Sequence, residues 1–168
     1  MALTKVTGAG IGTVTNQFAD ANMSSGSVIQ VVKGTTSTAV TISSTSMTDT
    51  GLEVTFTPTD HTNTFFVWFH CPNVRKTSGA GVNGWWSGRV LINGSQMDPT
   101  IGAGAFGYPE NFADQRYILS GHGATSSGFQ SGSNTVKLQG SAQGNGSTTW
   151  IFAHQSALST ITVMEVVK

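Results

Sequence analysis

The side chains able to do acid–base or metal chemistry are four histidines, His61, His70, His122 and His154, eight carboxylates and one cysteine. No two histidines stand at the close spacing of a metal-binding pair on one strand or helix. A threefold axis could still gather three copies of His122 (in SGHGATS) or His154 (in WIFAHQS) around an ion. A solvated or hydrogen-bonded imidazole is the ordinary alternative. The carboxylates are Asp20, Asp49, Glu53, Asp60, Asp98, Glu110, Asp114 and Glu165. Glycoside hydrolysis needs two of them flanking a cleft. Only Asp98, Glu110 and Asp114 cluster, around a long Gly- and Pro-rich loop where acids are ordinarily solvated. No Ser-His-Asp spacing, nucleophile elbow or phosphate-binding glycine loop is present. The run TGAGIG (7–12) has no strand before it and no helix after it, so it is no dinucleotide fingerprint. Cys71 stands alone in an apolar stretch, which leaves no disulfide framework and no cysteine zinc site. The expectation is a non-enzyme with no cofactor and no metal.

Two further sets of residues invite a binding role. Glu165 alternates with Ile161, Val163 and Val167 and so faces inward, where a carboxylate needs a partner. Arg89, Arg116 and Lys137 are the candidate cations, in a structural ion pair near a subunit interface. Trp85 and Trp86 are adjacent, and adjacent residues of a strand point to opposite faces. One of them fills the core; the other is free to stack on a sugar ring or a neighbouring subunit. With Phe106 and Tyr108 they form a candidate glycan-binding surface.

The elements that position these residues follow from composition and period. The 168-residue chain fits one domain. Only 10% of residues are charged, against about 25% in an average globular protein. About a quarter are Ser or Thr, and 21 are Gly. Disorder is excluded by nine Phe, four Trp and many Val and Ile. Formal charge is zero and the cations are scattered singly, so no phosphate-reading surface is expected and nucleic acid is not a partner. Weak self-repulsion suits a subunit that associates. No stretch reaches the length of a membrane span and the N-terminus lacks a signal-peptide core, so a soluble protein made in a cytoplasm is expected.

Residues 1–26 form a small-residue, almost uncharged segment without sustained period, read as an extended arm. From Ser27 to Lys168 the chain alternates strand and turn: 27–33, 35–46, 47–58, 63–72, 84–95, 112–123, 134–144, 147–156 and 159–168. Leu52, Val54 and Phe56 alternate with Glu53, Thr55 and Thr57, as a half-buried strand requires. Eight or nine short strands with turn signals and no helical period predict an antiparallel β-sandwich of jelly-roll type. Two strands carry apolar residues on both faces. In 64–71, Phe65, Val67, Phe69 and Cys71 oppose Phe66, Trp68 and His70; in the last strand, Ile161, Val163 and Val167 oppose Met164 and Val166. A second apolar face needs a second partner, either another copy of the chain or a loop of the same one. Phe66, Trp68, Met164, Glu165 and Val166 are the candidate interface residues of a homotrimer.

The opening MALTKVTG, then SVIQVV, then a Ser/Thr run into DTGLEVTFTP, and the closing Ser-x-Ile-Thr-Val-Met-Glu-Val (159–166) together resemble a family of bacteriophage virion proteins. The resemblance covers the arm, the first three or four strands and the last strand; the centre, roughly 75–145, lies outside it. It implies a trimeric jelly-roll knob whose N-terminal arm docks on the particle, on a major capsid or other virion protein. Leu3, Val6, Gly8, Gly10, Ile11 and Gly12 are then the anchoring residues, the glycines letting the backbone lie close against a neighbour. An arm of about 26 residues is short for a fibre shaft, which favours a head decoration or short head fibre. The alternative is a tail-fibre tip that contacts host surface glycan. Either role places the protein in the virion, assembled in the host cytoplasm, without insertion in a membrane.

Overall fold

A computed structural model describes residues 23–77, 84–97, 114–144 and 148–168. The candidate anchoring residues Leu3, Val6, Gly8, Gly10, Ile11 and Gly12 and the candidate glycan-binding residues Phe106 and Tyr108 lie outside the described residues. Among the described residues ten strands form: β1 (Val28–Thr36), β2 (Val40–Ile42), β3 (Thr48–Phe56), β4 (Thr64–Thr77), β5 (Gly84–Ile92), β6 (Ser95–Gln96), β7 (Asp114–Thr125), β8 (Asn134–Gly144), β9 (Thr149–Phe152) and β10 (Ser159–Val166). All pairings are antiparallel.

With the short β2–β9 pair set aside, eight main strands remain, and their pairing is that of one long hairpin rolled up. β1 pairs with β10, β3 with β8, β4 with β7, and β5 with β6. The roll closes through β10–β4 in one sheet and β8–β5 in the other. One sheet therefore runs β1-β10-β4-β7, with β9 and β2 extending from the far half of β4; the other runs β3-β8-β5-β6. This is the jelly roll expected from the sequence.

The core fills the space between the sheets. Phe65, Val67, Phe69, Cys71, Ile161 and Val163 enter from the first sheet; Leu52, Val54, Phe56, Val90, Val136 and Leu138 enter from the second. Phe129, from the loop 126–133, plugs one end by stacking on Phe65 with ring centroids 3.9 Å apart. Asn134 pins that loop from within. Its Nδ2 donates to the Gln130 and Gly132 carbonyls, each at 2.8 Å, and its Oδ1 accepts from Gln130 N at 2.9 Å and Asn93 Nδ2 at 2.7 Å. All four bonding positions of the buried amide are thus used. At Asn93–Gly94 both residues have positive φ, 51° and 84°, which suits the tight β5–β6 hairpin.

Trp86 is the core member of the tryptophan pair. It is 1% exposed and packs against Phe152 with ring centroids 5.2 Å apart. Its indole lies across Gly88 and Gly140, which face each other on β5 and β8. A Cβ at Gly88 would stand 1.9 Å from the ring, and one at Gly140 2.3 Å from Nε1. The seat exists only because both positions lack a side chain. Trp86 cannot stack on a sugar from that position, and its place in the candidate glycan surface is withdrawn.

β4 runs to Thr77 rather than ending at Pro72. The register against β7 shifts between Cys71 and Val74. This bulge accommodates a proline that cannot donate to the ladder and lets the strand continue beyond it.

Candidate functional site

The two outer faces of the sandwich differ. On the outer face of the β3-β8-β5 sheet most side chains are polar, and several are joined to one another. Arg89 Nε donates to Gln139 Oε1 at 2.9 Å, Gln139 Nε2 donates to Asp49 Oδ1 at 2.6 Å, and Lys137 Nζ meets Asp49 Oδ2 at 2.7 Å. The Lys137 and Gln139 hydrogen bonds hold the Asp49 carboxyl below the usual aspartate range, against a smaller opposing effect of burial. Thr55 and Thr135 share a hydrogen bond in the same ladder. Trp85, half-buried, stands opposite Gln143 on this face. It is the described member of the candidate glycan set whose side chain reaches the surface.

The outer face of the β1-β10-β4-β7 sheet carries an apolar patch. Strand register sets its rows: Val31, Met164, Phe66 and Ala124 lie side by side, followed by Lys33, Thr162, Trp68 and His122, then Thr35, Thr160, His70 and Ser120. Phe66 is 42% exposed and Val31 58%, while Trp68 and Met164 are half-buried. Val166, half-buried, continues the same face opposite Thr64. An open concavity of about 600 Å³ lies over its centre, lined by Phe66, Trp68, His70, Ser120, His122 and Met164 among others. The candidate interface residues Phe66, Trp68, Met164 and Val166 are thereby brought onto one surface.

Glu165 is not on that surface. It does face inward, as its alternation requires, and is 1% exposed. The ion pair with Arg89, Arg116 or Lys137 does not form. Arg89 is engaged with Gln139, Lys137 with Asp49, and Arg116 Nη1 donates to Gln155 Oε1 at 2.8 Å. The carboxylate is instead held by the loop between β3 and β4. Thr59 N donates to Oε2 at 2.9 Å, Asp60 N to Oε1 at 2.8 Å, and Asn63 Nδ2 to Oε1 at 3.0 Å. Gln30, with its amide turned to suit its neighbours, places a further donor 3.1 Å from Oε2. Backbone N–H groups aimed at a buried carboxylate replace the water it has lost. Glu165 thus clamps a loop to the last strand.

The remaining candidates are dispersed. His61 lies in the β3–β4 loop next to Asp60, whose carboxylate accepts from Thr62 N and Thr62 Oγ1, each at 2.8 Å. These two hydrogen bonds, the backbone one first, lower its pKa. His154 opens a turn after β9 in which Ala153, Gln155 and Ser156 all have positive φ, and Asn73 Nδ2 from the β4 bulge donates to its carbonyl at 3.0 Å. Cys71 is buried, and burial pushes its thiol up to about 12 despite a hydrogen bond with Ser159. Asp98 and Glu110 lie outside the described residues. Among those described, no group of three or more His, Cys, Asp or Glu side chains is placed to hold a metal ion. His122, on the apolar face beside Trp68, is the residue whose position sequence reasoning missed. The alternation of Ser120, His122 and Ala124 gives its direction, but the β4–β7 register that sets it against Trp68 leaves no local signal.

No family model matches the chain, and no curated protein matches it either. Among solved structures it is similar to infectious bursal disease virus, Gx strain, at 13% identity and a TM-score of 0.36, over 86% of this chain and 39% of that one. A second structure of that virus, its T13 particle, gives 10% identity and a TM-score of 0.38, over 82% of this chain and 35% of that one. A family 35 carbohydrate binding module from Clostridium thermocellum gives 9% identity and a TM-score of 0.26, over 73% of this chain and 97% of that one. The chain spans less than two fifths of the length of the two viral chains, 39% and 35%. Likenesses at these scores carry no argument about function.

Proposed function

We propose that this chain is a structural protein of a bacteriophage particle: a jelly-roll knob that associates as a trimer through the outer face of the β1-β10-β4-β7 sheet. Residues 1–26 serve as its attachment arm, and its place is on the head, as a decoration or short fibre. One observation carries the reading. Of the two outer faces, one is mostly a ladder of hydrogen-bonded polar side chains with Trp85 toward one end, and the other sets Val31, Phe66, Trp68 and Met164 together at the surface. A sandwich needs only its inner faces to fold, so a contiguous apolar patch on an outer face marks a contact with another molecule. A second copy of the chain supplies it without any further component. The resemblance at both ends of the sequence supports the same role, and trimerisation multiplies a weak arm contact by avidity.

The direct test is the mass of the full chain in solution. The wild type is expected to sediment at three chain masses, and Phe66→Asp at one, with an unchanged far-ultraviolet circular dichroism spectrum. A wild-type monomer at micromolar concentration would end the proposal. Trp85 favours a second reading, a receptor-binding tip, because a half-buried indole beside the Gln143 amide is a surface of the kind that stacks on sugar rings. Binding of purified protein to host polysaccharide, lost in Trp85→Ala, would favour it.

A further inference from the structure

We infer that His70 and His122 make this association pH-dependent, holding the assembly at neutral pH and releasing it in mild acid; the inference rests on the self-association proposed above. The register of β4 against β7 sets His122 opposite Trp68 and Ser120 opposite His70. Both imidazoles are exposed, and both line the concavity at the centre of the apolar face. They lie where a second copy would exclude water.

The charges around them decide the sign. His70 on β4 lies between Thr160 of β10 and Ser120 of β7, and His122 on β7 lies beside Trp68 of β4; Thr162 and Met164 of β10 flank β4 on its other side, with Val31, Lys33 and Thr35 of β1 beyond them. Lys33 shares the row of Trp68 and His122, and Arg75 and Arg116 face each other past the β4 bulge. The described carboxylates are elsewhere. Glu165 points into the β3–β4 loop, Asp49 and Glu53 sit on β3 of the other sheet, and Asp60 lies in that same loop. By register the imidazoles stand among Trp68, Thr160 and Ser120, and no carboxylate of the described residues lies on this face beside them. Covering a protonated imidazole would bury an uncompensated charge, which is costly. Association selects the neutral imidazole, so it weakens as pH falls through the range in which histidine gains its proton. By linkage, each histidine that must shed a proton weakens association up to about tenfold per pH unit below that range, so the two of one copy compound to about a hundredfold for each copy joined.

The test is sedimentation velocity of the full chain over a concentration series at pH 7.5 and 5.5, with circular dichroism confirming the fold at both. Wild-type association is expected to weaken by at least about tenfold at pH 5.5, and that of H70Q/H122Q by less than about twofold. Should the double variant not associate at pH 7.5, the single variants His70→Gln and His122→Gln take its place, each with about half the wild-type response on a logarithmic scale. Equal pH responses of wild type and variants would overturn the role of the histidines, as would a wild-type assembly indifferent to pH. A wild type monomeric at both pH values would instead overturn the self-association on which the inference rests.

Discussion

Glu165 offers the sharpest test of how the knob is held together. Its carboxylate accepts from Thr59 N, Asp60 N and Asn63 Nδ2 at 2.8–3.0 Å while 1% exposed. Hydrogen bonds to a charged group contribute about 1.5–3 kcal/mol each. Three of them would exceed the total by simple summing, because the carboxylate also gave up its hydration on burial. Glu165→Ala relieves that desolvation and leaves two backbone N–H groups and an amide without an acceptor. Partial entry of water into the loop offsets some of the loss. The net expectation is about 3–5 kcal/mol of destabilisation, from three neutral donors left unsatisfied at about 1–3 kcal/mol each and partly relieved by water and by the desolvation no longer incurred. For a chain of this length each kcal/mol moves the midpoint by about 2–4 °C, so a fall of roughly 6–20 °C should be seen. Glu165→Gln keeps one acceptor oxygen and should lose about half as much. Urea unfolding at fixed protein concentration, followed by the fluorescence of the buried Trp86 and Trp150, measures it; fixed concentration matters because an assembling protein is stabilised by mass action. Glu53→Ala, on an exposed position of β3, serves as the control and should stay within about 0.5 kcal/mol. If Glu165→Ala cost no more than that control, the loop clamp would carry no stability and the reasoning would be refuted.

Three further outcomes follow from the geometry. Gly88→Ala and Gly140→Ala should each cost about 1–3 kcal/mol by forcing the Trp86 ring off its seat, and a near-ultraviolet dichroism spectrum unchanged in both would contradict that seat. Cys71, with its thiol pushed up to about 12, should resist a maleimide at pH 8 until urea unfolds the chain; rapid labelling of the native protein would show that its burial is not maintained. Asp49 has a lowered pKa, so its stabilising effect is present above the unfolded aspartate range and is lost as pH falls through the folded value. The stability difference between wild type and Asp49→Asn should therefore vanish in strong acid, and its size at neutral pH should be at most about 1 kcal/mol because Asp49 is half exposed. A difference that grew on acidification would be inconsistent with the ladder.

Much of the fold was legible because strand alternation has a period of two and survives without tertiary context. Leu52, Val54 and Phe56 announced β3, and the doubled apolar faces of β4 and β10 announced the apolar patch on the outer face of their sheet. Pro72 misled, because a proline reads as a strand end and the bulge that absorbs it leaves no mark in the sequence. The tryptophan pair was ambiguous for a similar reason. Which of Trp85 and Trp86 enters the core is set by Gly88 and by Gly140 on β8, and that second glycine lies 54 residues away from Trp86. Glu165 was legible in direction but not in partner. Its donors are two backbone N–H groups, of the kind every residue but proline carries, and the neutral amides of Asn63 and Gln30, so a search among cations could not find them. His70 was visible beside Phe66 and Trp68, whereas the place of His122 depends on the long-range register of β7. The site is therefore a property of strand pairing more than of any motif.

The most direct measurement of the central claim is a cryo-electron-microscopy map of the particle that carries this protein. The expected map shows threefold knobs on the head lattice, with Phe66, Trp68 and Met164 turned toward the neighbouring copies and the segment 1–26 running into the capsid. Knobs whose apolar face is open to solvent, or that stand singly, would contradict it.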